Sequence, residues 1–187
     1  MRTNDRLRML MPVAICVAVA GLYMSGSVVQ SADAGPAAKD LQNNWKDIGR
    51  KLGDMAADFP DNKYDFKATP EVRSFAEQML HAAGYANYVA EIAKGLRPQE
   101  QDPPRANFKT KAEVVAYVKK AFADGAKAIE ATSDAKLQSQ IEVGNWKPSI
   151  YGVWDSAVEH SGEHYGQLVV YYRLNKLVPP ESRPRSK

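Results

Sequence analysis

The stretch VEHSGEHYGQLVVYYRLNKLVPPES carries His160 and His164, two of the only three histidines in the chain, four residues apart. Residues at i and i+4 project side by side from a helix, so a helical segment here would offer two imidazole nitrogens to one ion at about 2.0–2.1 Å. The remaining histidine, His81, lies in EQMLHAAGYANY, inside a second segment of helical pattern. Two histidines from one helix and one from a facing helix would make a three-histidine set with open positions, the pattern of a catalytic rather than a closed structural metal. A second reading fits the same residues: core histidines whose ring nitrogens are satisfied by hydrogen bonds. Residue types and spacing leave both open.

Groups able to move protons lie close by in the sequence. Glu163 completes an H-x-x-E-H pattern with His160 and His164, the arrangement of inverzincin peptidases, and on a helix it falls about 60° from His160. A peptidase of that kind needs a further acidic ligand downstream, and Glu181 is the only later acid. Glu163 is therefore expected to orient an imidazole, to serve as a base, or to be a solvated glutamate at the edge of the bundle. Glu77, one turn before His81, carries the same readings. Tyr85 and Tyr88 follow His81 at helical spacing, and Tyr171 follows His164; these are core aromatics or, for Tyr85 above all, a catalytic phenol. Other chemistries are missing. The residues three before the histidines are Gln78, Ala157 and Ser161, so there is no Glu-x-x-His pair for a di-iron bundle, and no Cys-x-x-Cys-His, phosphate-binding glycine loop or Gly-x-Ser-x-Gly occurs.

Four amphipathic helices are expected to position these groups. Leu41, Trp45, Ile48, Leu52 and Met55 mark a stripe on a helix from about Ala37 to Ala57, stopped by Phe59-Pro60. Thr69-Pro70-Glu71 reads as the start of a second helix, with Phe75, Met79, Ala82, Ala86 and Val89 on its apolar face and Gly95 at its end. Thr110-Lys111-Ala112-Glu113 reads as a capping box opening a third, to about Ala131. Residues 132–147 are expected to be irregular. The last helix should start near Ser149 and stop before Pro179-Pro180, with Ile150, Val153, Ala157, His160, His164, Gln167, Tyr171 and Leu174 facing inward. The fold class is then all-α, a four-helix bundle.

The first 34 residues stand apart. Arg2, Arg6 and Arg8 precede a 15-residue apolar run from Leu10 to Met24, and Ala32-Asp33-Ala34 offers a small-x-small cleavage site. This is the layout of a secretory signal peptide, and the run is shorter than the roughly 20 residues of a membrane span. Residues 1–34 are therefore expected to be a signal peptide and 35–187 one domain, exported to the periplasm or medium with no permanent membrane span. The only cysteine, Cys16, lies in that apolar run after Ile15, which does not suit a lipidation site. Disulfides, thiolate ligands and cysteine nucleophiles are thereby excluded from the mature part. The formal net charge is +3, and the short basic end at Arg183, Arg185 and Lys187 reads as a solvated tail. Nucleic acid is not an expected partner at so even a balance.

Together, PEVRSFAEQMLHAAGYANY around His81 and HSGEHYGQLVVYYRLNKLVPPES at the end of the chain resemble the DinB-like (DinB/YfiT-like) superfamily of metalloenzyme bundles. The resemblance runs from about Trp45 to Ser182. It implies a four-helix bundle in up-down-down-up order, often a homodimer, with His81, His160 and His164 as ligands of one divalent metal, usually zinc or nickel. It further implies a small-molecule substrate: relatives include transferases that use a low-molecular-weight thiol and some hydrolase-like members. Export would separate this chain from reduced thiols, so metal-activated attack by water, assisted by Glu163 or a tyrosine, is an equal expectation. The alternative is a non-catalytic exported bundle whose metal is structural or sensory and whose surface binds a partner.

Overall fold

Pro36, at the first position of α1 (Pro36–Asp58), and Phe59-Pro60 at its end bound a helix whose face of Leu41, Trp45, Ile48, Leu52 and Met55 is buried as the spacing predicts. The computed structural model describes residues 35–98 and 102–184, so the expected signal peptide lies outside the described residues. Among those residues no helix is long and apolar enough to cross a membrane.

α2 (Phe75–Ala93) starts later than Thr69-Pro70 suggests. Ser74 is its N-cap, accepting from the Glu77 backbone N–H at 3.2 Å while the Glu77 carboxylate accepts from the Ser74 N–H at 2.6 Å. That reciprocal box satisfies two orphan donors, whereas Thr69 only closes a turn to Val72. α2 ends at Gly95, whose φ of +82° suits glycine. α3 (Lys111–Glu130) opens on the Thr110/Glu113 capping box, as expected. Residues 132–147 contain one turn of helix, α4 (Asp134–Leu137), and short bridges at Gln140–Ser149 and Val143–Trp146. α5 (Ile150–Leu174) is capped by Ser149.

Cross-contacts at the helix ends give the directions. The Tyr172 hydroxyl, late in α5, donates to Met55 O at 2.9 Å late in α1, so these two helices run parallel. Phe75 at the start of α2 stacks on Phe59 at the end of α1 at 3.8 Å, and Lys111 at the start of α3 donates to Phe59 O at 2.7 Å. Both α2 and α3 therefore run back against α1, which is the up-down-down-up order. Each of the four long helices packs on two of the others, with α1 diagonal to α2 and α3 diagonal to α5.

The core between α1, α3 and α5 is centred on two indoles. Trp45 meets Trp154 edge to face at 5.0 Å and donates from Nε1 to Phe122 O at 2.8 Å. Gly49 and Gly125 let α1 and α3 approach: a Cβ on Gly49 would lie 2.8 Å from the Phe122 side chain, and one on Gly125 2.6 Å from the Trp45 ring.

α5 corrects one part of the sequence reading. Its buried residues are Ile150, Val153, Trp154, Ala157, Ser161, His164, Leu168, Tyr171 and Tyr172, so the expected stripe holds at Ile150, Val153, Ala157, His164 and Tyr171 and shifts by one position from His160 to Ser161 and from Gln167 to Leu168. Gln167 and Leu174 are consequently exposed and His160 is half-buried. Spacings of 3,4 and 4,3 share half their members, and the bulk of Trp154 and Leu168 decides which one faces the core. The expected solvated tail is also partly tied down, since the Arg183 guanidinium pairs with Asp58.

The Trp45 ring is rigid, so Gly125→Ala should cost more in overpacking, about 1–3 kcal/mol, than the roughly 1 kcal/mol it gains in helix propensity. Thermal melts should show a fall of a few degrees for Gly125→Ala. Gly166→Ala, with nothing within 4 Å of the added carbon, should instead hold or raise the midpoint; a rise in both would remove the claim of a close α1/α3 contact.

Candidate metal centre

The capping box at Ser74 sets the phase of α2 and turns His81 inward, and α5 runs antiparallel beside it with His160 and His164 one turn apart. The three rings meet at this seam. Centroids are 4.3 Å apart for His160 and His164, 4.7 Å for His81 and His164, and 5.2 Å for His81 and His160. One nitrogen from each ring can be chosen so that all lie within 4.8 Å of one another, a group that could hold a metal ion. The Nε2 atoms of His160 and His164 are 2.9 Å apart. His81 and His164 are buried, and the His160 side chain is 25% exposed.

Around the rings, each outer nitrogen faces a polar group. His81 Nδ1 lies 2.5 Å from Asp102 Oδ1, and Asp102 Oδ2 accepts from Arg73 Nη2 at 3.0 Å and Nε at 3.2 Å. Burial alone would raise the Asp102 carboxyl, but its bonds and charge contacts with His81 and Arg73 outweigh this and hold it below the usual carboxylate range. A carboxylate only accepts, so His81 Nδ1 carries a proton, and in the neutral ring that leaves the lone pair on Nε2. His164 Nδ1 lies 2.6 Å from Gln78 Nε2 and 3.2 Å from Gln167 Oε1, and Gln78 also donates to Gln167. His160 Nδ1 is 3.9 Å from Glu163 Oε2. Tyr85 packs on His160 with centroids 4.1 Å apart and planes at 41°.

A cleft of about 720 Å³ has Arg73, Gln78, Gln167 and Tyr171 in its wall but none of the histidines; Gln78 and Gln167 separate it from the Nδ1 side of His164. Trp154 is wholly buried against Trp45 and the Tyr171 hydroxyl donates to Arg73 O at 2.5 Å, so neither covers the histidines. A separate groove between α1 and α3, of about 490 Å³, contains none of them.

The structure thus brings together His81, His160, His164 and Tyr85, with Glu163 at the rim, where its side chain is 64% exposed. Glu77 is committed to the α2 cap and pairs with Lys67 at 3.6 Å, away from the rings. Asp102, Arg73 and Gln78 were not expected. Asp102 sits in a proline-containing connection with no periodicity, and only the chain's return across α2 puts it on His81; Gln78 had a legible signal, one turn before His81 on the same helix.

Burial, and next the charge of His160, lower the His164 pKa from 6.5 to about 4, so it is neutral with a lone pair available at neutral pH. The unfolded chain takes up this proton near 6.5 and the folded chain only near 4. Between those values the unfolded state holds more protons, so this group's contribution is complete above the upper value and is lost as pH falls toward the lower one. Thermal midpoints of metal-free protein should therefore rise from pH 4 to 6.5, and His164→Gln should flatten the rise left after carboxylate effects common to both proteins. An unchanged profile would show that His164 is not held neutral.

Comparison with known proteins agrees with this geometry. No curated protein matches the chain significantly. Among solved structures, a DinB-like protein from Bacillus cereus ATCC 10987 superposes with a TM-score of 0.64 at 15% identity, over 76% of this chain and 95% of that one, a likeness of fold. The family model described as DinB superfamily matches residues 46–168, from α1 through both α5 histidines. The chain belongs to the DinB superfamily.

Proposed function

We propose that this protein is a metal-dependent enzyme in which His81, His160 and His164 hold one divalent ion, zinc or nickel, and that it acts as a transferase or hydrolase on a small molecule. The observation that carries this reading is the convergence of three imidazoles, with one nitrogen of each within 4.8 Å of the others, at the seam between α2 and α5. The donor set fits such an ion. His81 presents Nε2 because Asp102 accepts the hydrogen bond from its Nδ1–H, and a neutral His164 can do the same by donating from Nδ1 to Gln167 Oε1 at 3.2 Å. Imidazole nitrogens suit zinc and nickel, and three of them leave coordination positions for a substrate.

When bound, the ion supplies positive charge that acidifies a water or a thiol at its open face. The protein's own groups do the rest. Glu163 lies on the Nδ1 side of His160, behind the ring, which suits orienting the imidazole better than taking a proton from the substrate side. Tyr85 shields one face of His160 from water and brings a phenol within a turn of His81. The substrate is a small molecule, such as a low-molecular-weight thiol or a hydrolysable ester or amide, while Gln78 and Gln167, on the Nδ1 side of His164, act on that ring from behind. The basic and apolar leader ending at Ala34 supports export, which favours the hydrolytic variant.

One observation favours a second reading, a non-catalytic bundle. With the Gln78 amide donating to His164 Nδ1, His164 Nε2–H can donate to His160 Nε2 at 2.9 Å, and those two rings are satisfied with no ion.

Elemental mass spectrometry of protein purified without chelators should find about one zinc or nickel per chain, lost in His160→Ala with the far-ultraviolet dichroism unchanged. Cobalt-loaded protein should change its visible spectrum when a small thiol is added, since the enzyme reading needs an exchangeable position. Metal without such a change would favour a structural staple, and no metal after reconstitution would favour the hydrogen-bonded reading.

A further inference from the structure

His160 and His164 are placed relative to each other by one turn of α5. His81 comes from α2 and has no such constraint, so its ring must be held by something else. The structure provides a chain of contacts for this. His81 Nδ1 meets Asp102 Oδ1 at 2.5 Å, the other Asp102 oxygen meets Arg73 Nη2 at 3.0 Å and Nε at 3.2 Å, and the Arg73 backbone carbonyl accepts from the Tyr171 hydroxyl of α5 at 2.5 Å. The line therefore begins on α5, crosses the residue before the α2 N-cap, passes through the α2–α3 connection and ends on the ring.

We propose that Asp102 is a positioning residue for the metal centre: it holds His81 in the Nδ1–H form with Nε2 turned to His160 and His164, while Arg73 holds the carboxylate in register. The inference rests on the metal reading above and assigns to Asp102 a part that the histidine set does not contain. Both carboxylate oxygens are engaged, one by His81 and one by Arg73, which separates Asp102 from a fourth ligand. A carboxylate behind a ligating imidazole fixes its tautomer and raises its basicity, and loss of such a partner typically weakens metal binding about 10–100-fold. An ordinary surface ion pair would do nothing of the kind. The Asp102 side chain is 43% exposed, so its pairing with Arg73 alone would contribute little to stability.

The test is zinc affinity by competition with a chromogenic chelator, on the full mature chain, for wild type, Asp102→Asn, Asp102→Glu and Arg73→Met. Asp102→Asn keeps the size of the side chain but removes the charge, and should weaken zinc binding about 10–100-fold while the melting point of metal-free protein holds. Asp102→Glu should recover part of the loss, and Arg73→Met should lose less than Asp102→Asn. Imidazole nitrogen NMR should show His81 as the Nδ1–H tautomer in wild type and a mixture in Asp102→Asn. Wild-type affinity in Asp102→Asn, or a loss matched by collapse of the metal-free fold with no change of tautomer, would overturn the positioning role alone. Absence of zinc binding by wild type would overturn the metal reading and this inference with it.

Discussion

Three weakly basic rings gathered within 5.2 Å of one another at a helix seam impose a constraint that the surrounding structure has to meet. Charging them together is costly, because adjacent like charges in a partly buried site repel, and the depressed pKa of His164 reflects burial and then that repulsion. They can coexist as neutral rings whose outer nitrogens are each given a partner. Asp102 accepts from His81 Nδ1, and Gln167 Oε1 can accept from His164 Nδ1 in the tautomer that a metal requires. The inner nitrogens then converge as electron-pair donors, which is a ligand set.

The bundle gives this seam a firm frame. At one end of α1, Phe59, Phe75 and Tyr172 pack ring on ring, with Tyr172 hydrogen-bonded to Met55. Toward the other, Phe122 packs on Gly49 and Trp45 on Gly125, bringing α1 and α3 close, and Trp154 of α5 meets Trp45 edge to face. These contacts hold α1 as a central support on which α3 and α5 are laid. The α2–α5 seam is different, since part of its buried face is polar: Gln78, His81, Ser161 and His164 are all buried. Buried polar side chains without a network cost stability, so a cluster like this persists where its members satisfy one another or share a ligand.

Much of this was legible in the sequence because helices write their packing as a period. The apolar faces of α1 and α2, the Thr110 capping box and the His160/His164 pair all follow from spacing alone. The α2 start did not, because Thr69-Pro70 and Ser74-x-x-Glu77 both look like helix openings and only the second closes its reciprocal hydrogen bonds. The α5 stripe was off by one position in the second half of the helix, which put Gln167 and Leu174 inside when they are exposed. Asp102 was invisible for a stronger reason: it stands 21 positions from His81, and no local rule says that a connection will return across the helix it left.

X-ray absorption at the metal edge of zinc- or nickel-loaded protein would count the ligands. Three imidazole scatterers at about 2.0–2.1 Å plus at least one oxygen ligand from solvent are predicted for His81, His160 and His164 sharing an ion with an open face. A shell with two or fewer imidazoles, or one closed by protein ligands alone, would contradict it.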